Sequence, residues 1–194
     1  MARPKEFDVD AALERALDVF WRAGYSATSV DDLVAAMGIG RASLYATFGD
    51  KRELYLAALR HYQDVRLSQV AEEFARAPSA RAAIEDWLAA TLARVSGAER
   101  DRGCFCVNAS TELASHDQAV GKLMAAHGAR VEALLAATLV RARAEGSLPR
   151  AADPQRLASF LYGVVLGLNV LGKQHTPRAR LEAVVAQALT IFVD

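Results

Sequence analysis

The stretch "GIGRASLYATFGDKREL", Gly38 to Leu54, holds the residue types best suited to chemistry with a partner. Two glycines bracket Ile39. Within one short segment there follow a long cation (Arg41), small side chains (Ala42, Ala46) and hydroxyls (Ser43, Tyr45, Thr47), then a break at Gly49 and Asp50 before Lys51. A phosphate-cradling loop would leave a buried strand and carry Gly-Lys-Ser/Thr into a helix. The residues before Gly38 are an amphipathic helix pattern instead, and no such triplet follows, so the nucleotide reading fails. A helix-turn-helix accounts for more of the residues. Ile39 is the apolar residue tucked under the turn, and Leu44 and Phe48, four apart, face inward. Arg41, Ala42, Ser43, Tyr45 and Thr47 then point outward or flank. A cation, small residues permitting close approach and hydroxyls suit a major groove and its phosphates. Thr28 and Ser29, at the start of the preceding helix, place hydroxyls and free amides for a phosphate, and Lys51 for another.

The elements that must position these residues are legible by period. Leu13, Ala16, Leu17 and Phe20 follow i, i+3, i+4, i+7 spacing, with Gly24 as a stop. Ser29 caps a second helix with the stripe Val30, Leu33, Val34, Met37, ended by Gly38. A third, short helix spans about 41–48, and Asp50 caps a fourth that connects onward to about Ala75. Beyond it, helical patterns cover about 79–96, 106–114, 117–145, 154–173 and 178–193. Pro154 and Pro177 fall at tolerated first-turn positions. No segment alternates at period two, so the chain reads as all-α with about nine helices. We expect a three-helix helix-turn-helix domain over 1–50 and a larger helical domain over 51–194.

Bulk composition bounds the function. The chain has 194 residues, 53% of them hydrophobic and 24% charged, ordinary for a folded soluble protein with a real core. No apolar stretch reaches the roughly 18 uncharged residues of a membrane span. The polar start "MARPKEFDVD" has no signal-peptide pattern, so a cytoplasmic protein without a membrane partner is expected. Net charge is zero, and residues 1–52 carry seven Lys/Arg against eight Asp/Glu. Non-specific coating of nucleic acid needs a broad positive field, so any DNA footprint here is local. No Ser/His/Asp set, paired carboxylates or phosphate loop supports an enzyme, and no cofactor is implied. His116 and His127 share a helix face about three turns apart, roughly 16 Å, too far to share a metal.

"ALDVFWRAGYSAT" together with "TSVDDLVAAMGIGRASLYATFGDKRELYLAAL" resembles the DNA-binding domain of TetR-type transcriptional regulators, over roughly residues 10–60. "GCFCVNASTEL" is similar to a segment in one branch of that family. The resemblance implies phosphate contacts from Thr28, Tyr45 and Lys51 and a recognition helix carrying Arg41, Ala42, Ser43 and Thr47. It implies a palindromic double-stranded operator, a homodimer, and a repressor that releases its operator on binding a small-molecule effector. Gly40 departs from the Ser or Thr common in relatives, which weakens the cap of the third helix. Arg3 and Lys5 would add backbone or minor-groove contacts.

For the larger domain, the apolar-pocket candidates are Trp87, Leu88, Phe105, Met124, Leu134, Phe160 and Leu166, with Asn108, Glu112 and Asn169 as polar anchors. The dimer candidates are Leu161, Val165 and Leu168, beside the Gly163–Gly167 pair, and Val184, Val185 and Ala188. Cys104 and Cys106 form no disulfide framework. On a helix, positions two apart point about 200° away from each other, so the pair is not expected to bridge. An alternative to a ligand is a thiol-responsive regulator using Cys104 and Cys106.

Overall fold

The computed structural model describes residues 7–193. Among them run α1 (Val9–Ala23), α2 (Val30–Met37), α3 (Arg41–Phe48), α4 (Lys51–Arg76) and α5 (Ala80–Ser96), followed by α6 (Phe105–Glu112), α7 (Gln118–Ala144), α8 (Pro154–Lys173) and α9 (Arg178–Leu189). The all-α expectation holds, with the helix-turn-helix at the N-terminal end. Arg3 and Lys5 lie outside the described residues.

Local signals explain the boundaries. Asp8 accepts from the amides of Asp10 and Ala11 and so starts α1. Ser29 and Asp32 exchange hydrogen bonds in a capping box at α2. Gly38 ends α2 in the left-handed region (φ 70°), the conformation glycine adopts without strain. Asp50, Asp117 and Asp153 cap α4, α7 and α8 through their carboxylates, with Pro154 in the first turn of α8. The last helix is shorter than its pattern: α9 stops at Leu189, and a turn folds Phe192 back onto the core.

Two apolar cores organise the chain, and they do not divide at residue 50. One holds the inward faces of α1, α2 and α3, the first half of α4, and also Phe105, Cys106 and Ala109 of α6 with Val120 of α7. Phe105, 1% exposed, sits edge-on to Tyr55 (5.5 Å between centroids) and Tyr62 (5.7 Å). Each such aromatic pair adds about 0.5–1.5 kcal/mol beyond area burial. The second core joins α5, α7, α8, α9 and the far end of α4. By length and composition α7 is apolar enough to cross a membrane. Its buried side packs into the cores, and Arg130 and Glu132 bond Asp64 and Ser159 respectively.

Candidate nucleic-acid interface and effector cavity

Most of the residues expected to meet DNA are exposed or half-buried in the helix-turn-helix. Arg41, Ala42, Tyr45 and Ala46 of α3 are exposed, Tyr45 to 46%, while Ser43 and Thr47 are half-buried at the edge. Leu44 is fully buried, and Ile39 and Phe48 pack against the same core. The Arg41 guanidinium is held by Asp31 of α2 at 2.6 Å, both side chains exposed. Lys51 lies 4.3 Å above the Tyr25 ring. Ser29 is exposed, its hydroxyl taken up in the capping box. Thr28 needs correcting. Its side chain is buried, and its hydroxyl donates to the Gly24 carbonyl (2.6 Å), so it braces the turn instead of facing a phosphate.

That turn is gripped by α6. The Glu112 carboxylate accepts from the Tyr25 amide (3.0 Å) and the Ser26 amide (2.8 Å). Although burial pulls the other way, these two amides hold its pKa below the usual carboxylate range. At the other end of α6, Trp21 donates to the Gly103 carbonyl (3.1 Å), and Arg102 pairs with Asp18 (2.6 Å) while lying over the Trp21 ring. Just beyond α6, Arg52 forks both oxygens of Asp117, at 2.6 and 2.9 Å. Chiefly through that guanidinium, the Asp117 carboxyl is brought down to about 2.

Behind the N-terminus of α6 lies a cavity of about 100 Å³, bounded by α4, α5, α7 and α8. Phe74, Trp87, Val70, Val131, Leu134 and Leu135 give it apolar walls; Tyr62, Arg66, Arg94, Cys104, Cys106, His127 and Tyr162 supply polar atoms. Burial, reinforced by Arg130, lowers the His127 pKa and favours its neutral form. Burial raises Tyr162 to about 12. Of the expected pocket residues, Trp87 and Leu134 are on this wall. Leu88 and Phe105 are core; Phe160 is 47% exposed on the outer face of α8. Glu112 is committed to the Tyr25–Ser26 turn, and Asn108 bonds the Arg102 carbonyl and Lys173. Met124 and Leu166 border a separate groove. Asn169 is buried and acts indirectly, its oxygen accepting from Arg94 (2.8 Å) and so aiming that guanidinium.

Tyr62, Arg66, Arg94, His127 and Tyr162 are cavity residues that the sequence reading does not place there. The available signal was positional: Arg94 falls on the same stripe of α5 as Trp87 and Thr91, and Arg66 between Tyr62 and Val70 on α4.

The expected dimer residues also need correcting. Leu161, Val165, Leu168, Val185 and Ala188 are buried within the chain, and Val184 packs on that same core. The unpartnered face of α8 is a different stripe, Phe160, Gly163, Gly167 and Val170, where a Cβ on either glycine would meet nothing within 4 Å.

Comparison with known proteins agrees with this architecture. The model for bacterial regulatory proteins of the tetR family matches residues 12–58, and that for the tetracyclin repressor-like C-terminal domain matches 78–188. The chain belongs to the TetR family. It is 31% identical to the HTH-type transcriptional repressor ComR of Escherichia coli (strain K12), over 99% of this chain and 92% of the relative. It is 32% identical to the HTH-type transcriptional regulator YezE of Bacillus subtilis (strain 168), over 99% of this chain and 100% of that one. Among solved structures, a cysteine mutant of the TetR family regulator CifR, complexed with 26-bp operator DNA, superposes with a TM-score of 0.83 at 39% identity. That match covers 97% of this chain and 98% of CifR. This chain is a DNA-binding transcriptional regulator.

Proposed function

We propose that this TetR-family regulator is a homodimeric repressor that holds a palindromic operator and lets go when a small molecule fills the cavity behind α6. The observation that carries the reading is the double engagement of α6. Its first turn forms part of the cavity wall, and its last turn grips the backbone just ahead of α2. Eight residues at about 1.5 Å each make a lever of roughly 12 Å between the two. Ser29, Arg41, Ala42, Ser43, Tyr45, Thr47 and Lys51 contact the duplex, and the apolar α8 stripe seats the partner subunit. A two-fold dimer reads half-sites about 34–36 Å apart, or a multiple of that. An effector releases the operator only by preferring the dimer geometry that cannot span those half-sites, since equal affinity for both shifts nothing.

A second reading is favoured by one observation: Cys104 and Cys106 stand together on the cavity wall, so a thiol reaction can work the same lever. The test of the first reading is fluorescence anisotropy with the DNA upstream of the protein's own gene. Expected is sequence-selective binding that weakens steeply with salt. Equal affinity for scrambled DNA at about 0.15 M salt would sink it.

A further inference from the structure

Cys104 and Cys106 are the chain's two cysteines. Helical spacing would aim their side chains apart, but Cys104 is outside the helix. It is the extended N-cap of α6 (φ −97°, ψ 128°), while Cys106 lies in the first turn. That break in the helical spacing lets both side chains reach the same cavity wall, where the Cys106 thiol interacts with the Cys104 sulfur. Cys104 is partly exposed, Cys106 is buried, and both face the cavity. The Tyr62 hydroxyl lies 3.8 Å from the Cys104 sulfur.

The two thiols are held in opposite states. The Cys106 thiol, the Val107 amide and the Arg94 guanidinium together outweigh burial and push Cys104 well below the ordinary thiol range. Its thiolate partner and burial push Cys106 up, so it keeps its proton. On the same wall His127 is nine-tenths buried, and its Nδ1 has no hydrogen-bond partner. No carboxylate lines the cavity. The site therefore presents a nucleophilic sulfur, an adjacent protonated sulfur and one unpaired polar atom within apolar walls.

We infer that Cys104 and Cys106 form a redox modification site, at which a hydroperoxide entering the cavity converts the pair to an intrachain disulfide. The Cys104 thiolate attacks the terminal oxygen of ROOH. The O–O bond breaks, RO⁻ takes a proton from solvent and leaves as ROH, and Cys104 becomes a sulfenic acid. The Cys106 sulfur then attacks the Cys104 sulfur, and hydroxide departs with the Cys106 proton as water. Two thiol sulfurs lose two electrons and the peroxide bond accepts them. Closing the bond re-aims the N-cap of α6, at the opposite end of the helix from Glu112. The disulfide chemistry is independent of operator binding; its effect on DNA rests on the function proposed above.

The test uses the full chain, treated with hydrogen peroxide or with tert-butyl hydroperoxide and then cleaved by trypsin. The peptide Gly103 to Lys122 holds both cysteines, and mass spectrometry reads its state. Expected is a loss of two hydrogens, reversed by dithiothreitol. Faster reaction with the alkyl peroxide identifies an apolar hydroperoxide as the reagent, and faster reaction with hydrogen peroxide identifies the inorganic one. In Cys106→Ser, Cys104 should gain oxygens that dithiothreitol does not remove; in Cys104→Ser, oxidation should slow about tenfold or more. A wild-type peptide that keeps both thiols, or gains oxygens without losing hydrogens, overturns the inference, and that reading needs no variant to fold. Operator affinity is followed in parallel, and oxidation should lower it reversibly. Disulfide formation with unchanged operator affinity overturns the switch, whereas reduced protein that never binds operator defeats the proposed function alone.

Discussion

At the scale of single residues, the DNA-reading surface is held ready by internal pairs. The Arg41 side chain is steered by Asp31, so its guanidinium is already oriented without DNA. Arg41→Ala should weaken operator binding about 10- to 100-fold if it reads a guanine, measurable by anisotropy titration. Asp31→Asn should tighten binding, because it frees that cation and removes a negative charge from the surface facing phosphates. The Asp117 fork makes a pH prediction. Its native carboxylate titrates near 2, against the ordinary 3.8, because Arg52 and the amides of Ala119 and Val120 favour the charged form. Its contribution to stability is therefore complete above the ordinary value and is lost as pH falls through about 2. Asp117→Asn keeps an N-cap oxygen but loses the charge. Its thermal midpoint should lie below wild type at neutral pH, and the gap should close in acid.

At the scale of elements, α3 begins without a side-chain cap, as α6 and α9 also do. Gly40 starts α3 with no side-chain cap, in an extended conformation any residue adopts, and a Cβ there meets nothing within 4 Å. Gly40→Ser should raise stability by about 0.5–1 kcal/mol, from the cap and from a less entropic unfolded chain. For a domain of this size that is roughly 1–4 °C in thermal midpoint by calorimetry. Helix positions were legible in the sequence because caps and stops are local: Ser29, Asp50 and Pro154 each mark a start, and Gly38 a stop. Burial on α8 was not. Leu161, Val165 and Leu168 have the spacing of an interface, and periodicity alone cannot tell which side of a helix faces its own chain. The cavity was hidden for a similar reason. It is assembled from parts of five helices plus a cap residue, and no short window of sequence contains it. The helical spacing rule does not apply to Cys104, which stands ahead of α6 as its cap, and a cap residue turns its side chain where a helical one would not.

At the scale of the whole molecule, the exposed α8 stripe is the surface on which the proposed dimer rests. Gly167→Arg points a charge into that face while displacing nothing inside the chain. It should give a folded monomer by sedimentation, with operator affinity reduced at least about tenfold as the second half-site is lost. The shared aromatic core sets a different limit. Phe105 fills the space between Tyr55 and Tyr62, so the DNA-reading head borrows part of its interior from a helix far along the sequence. Truncating it to alanine would cost about 3–5 kcal/mol. The head is thus not a portable module: transplanted alone onto another body it would carry an open apolar socket, and a graft would have to bring α6 along or supply a ring of the same shape.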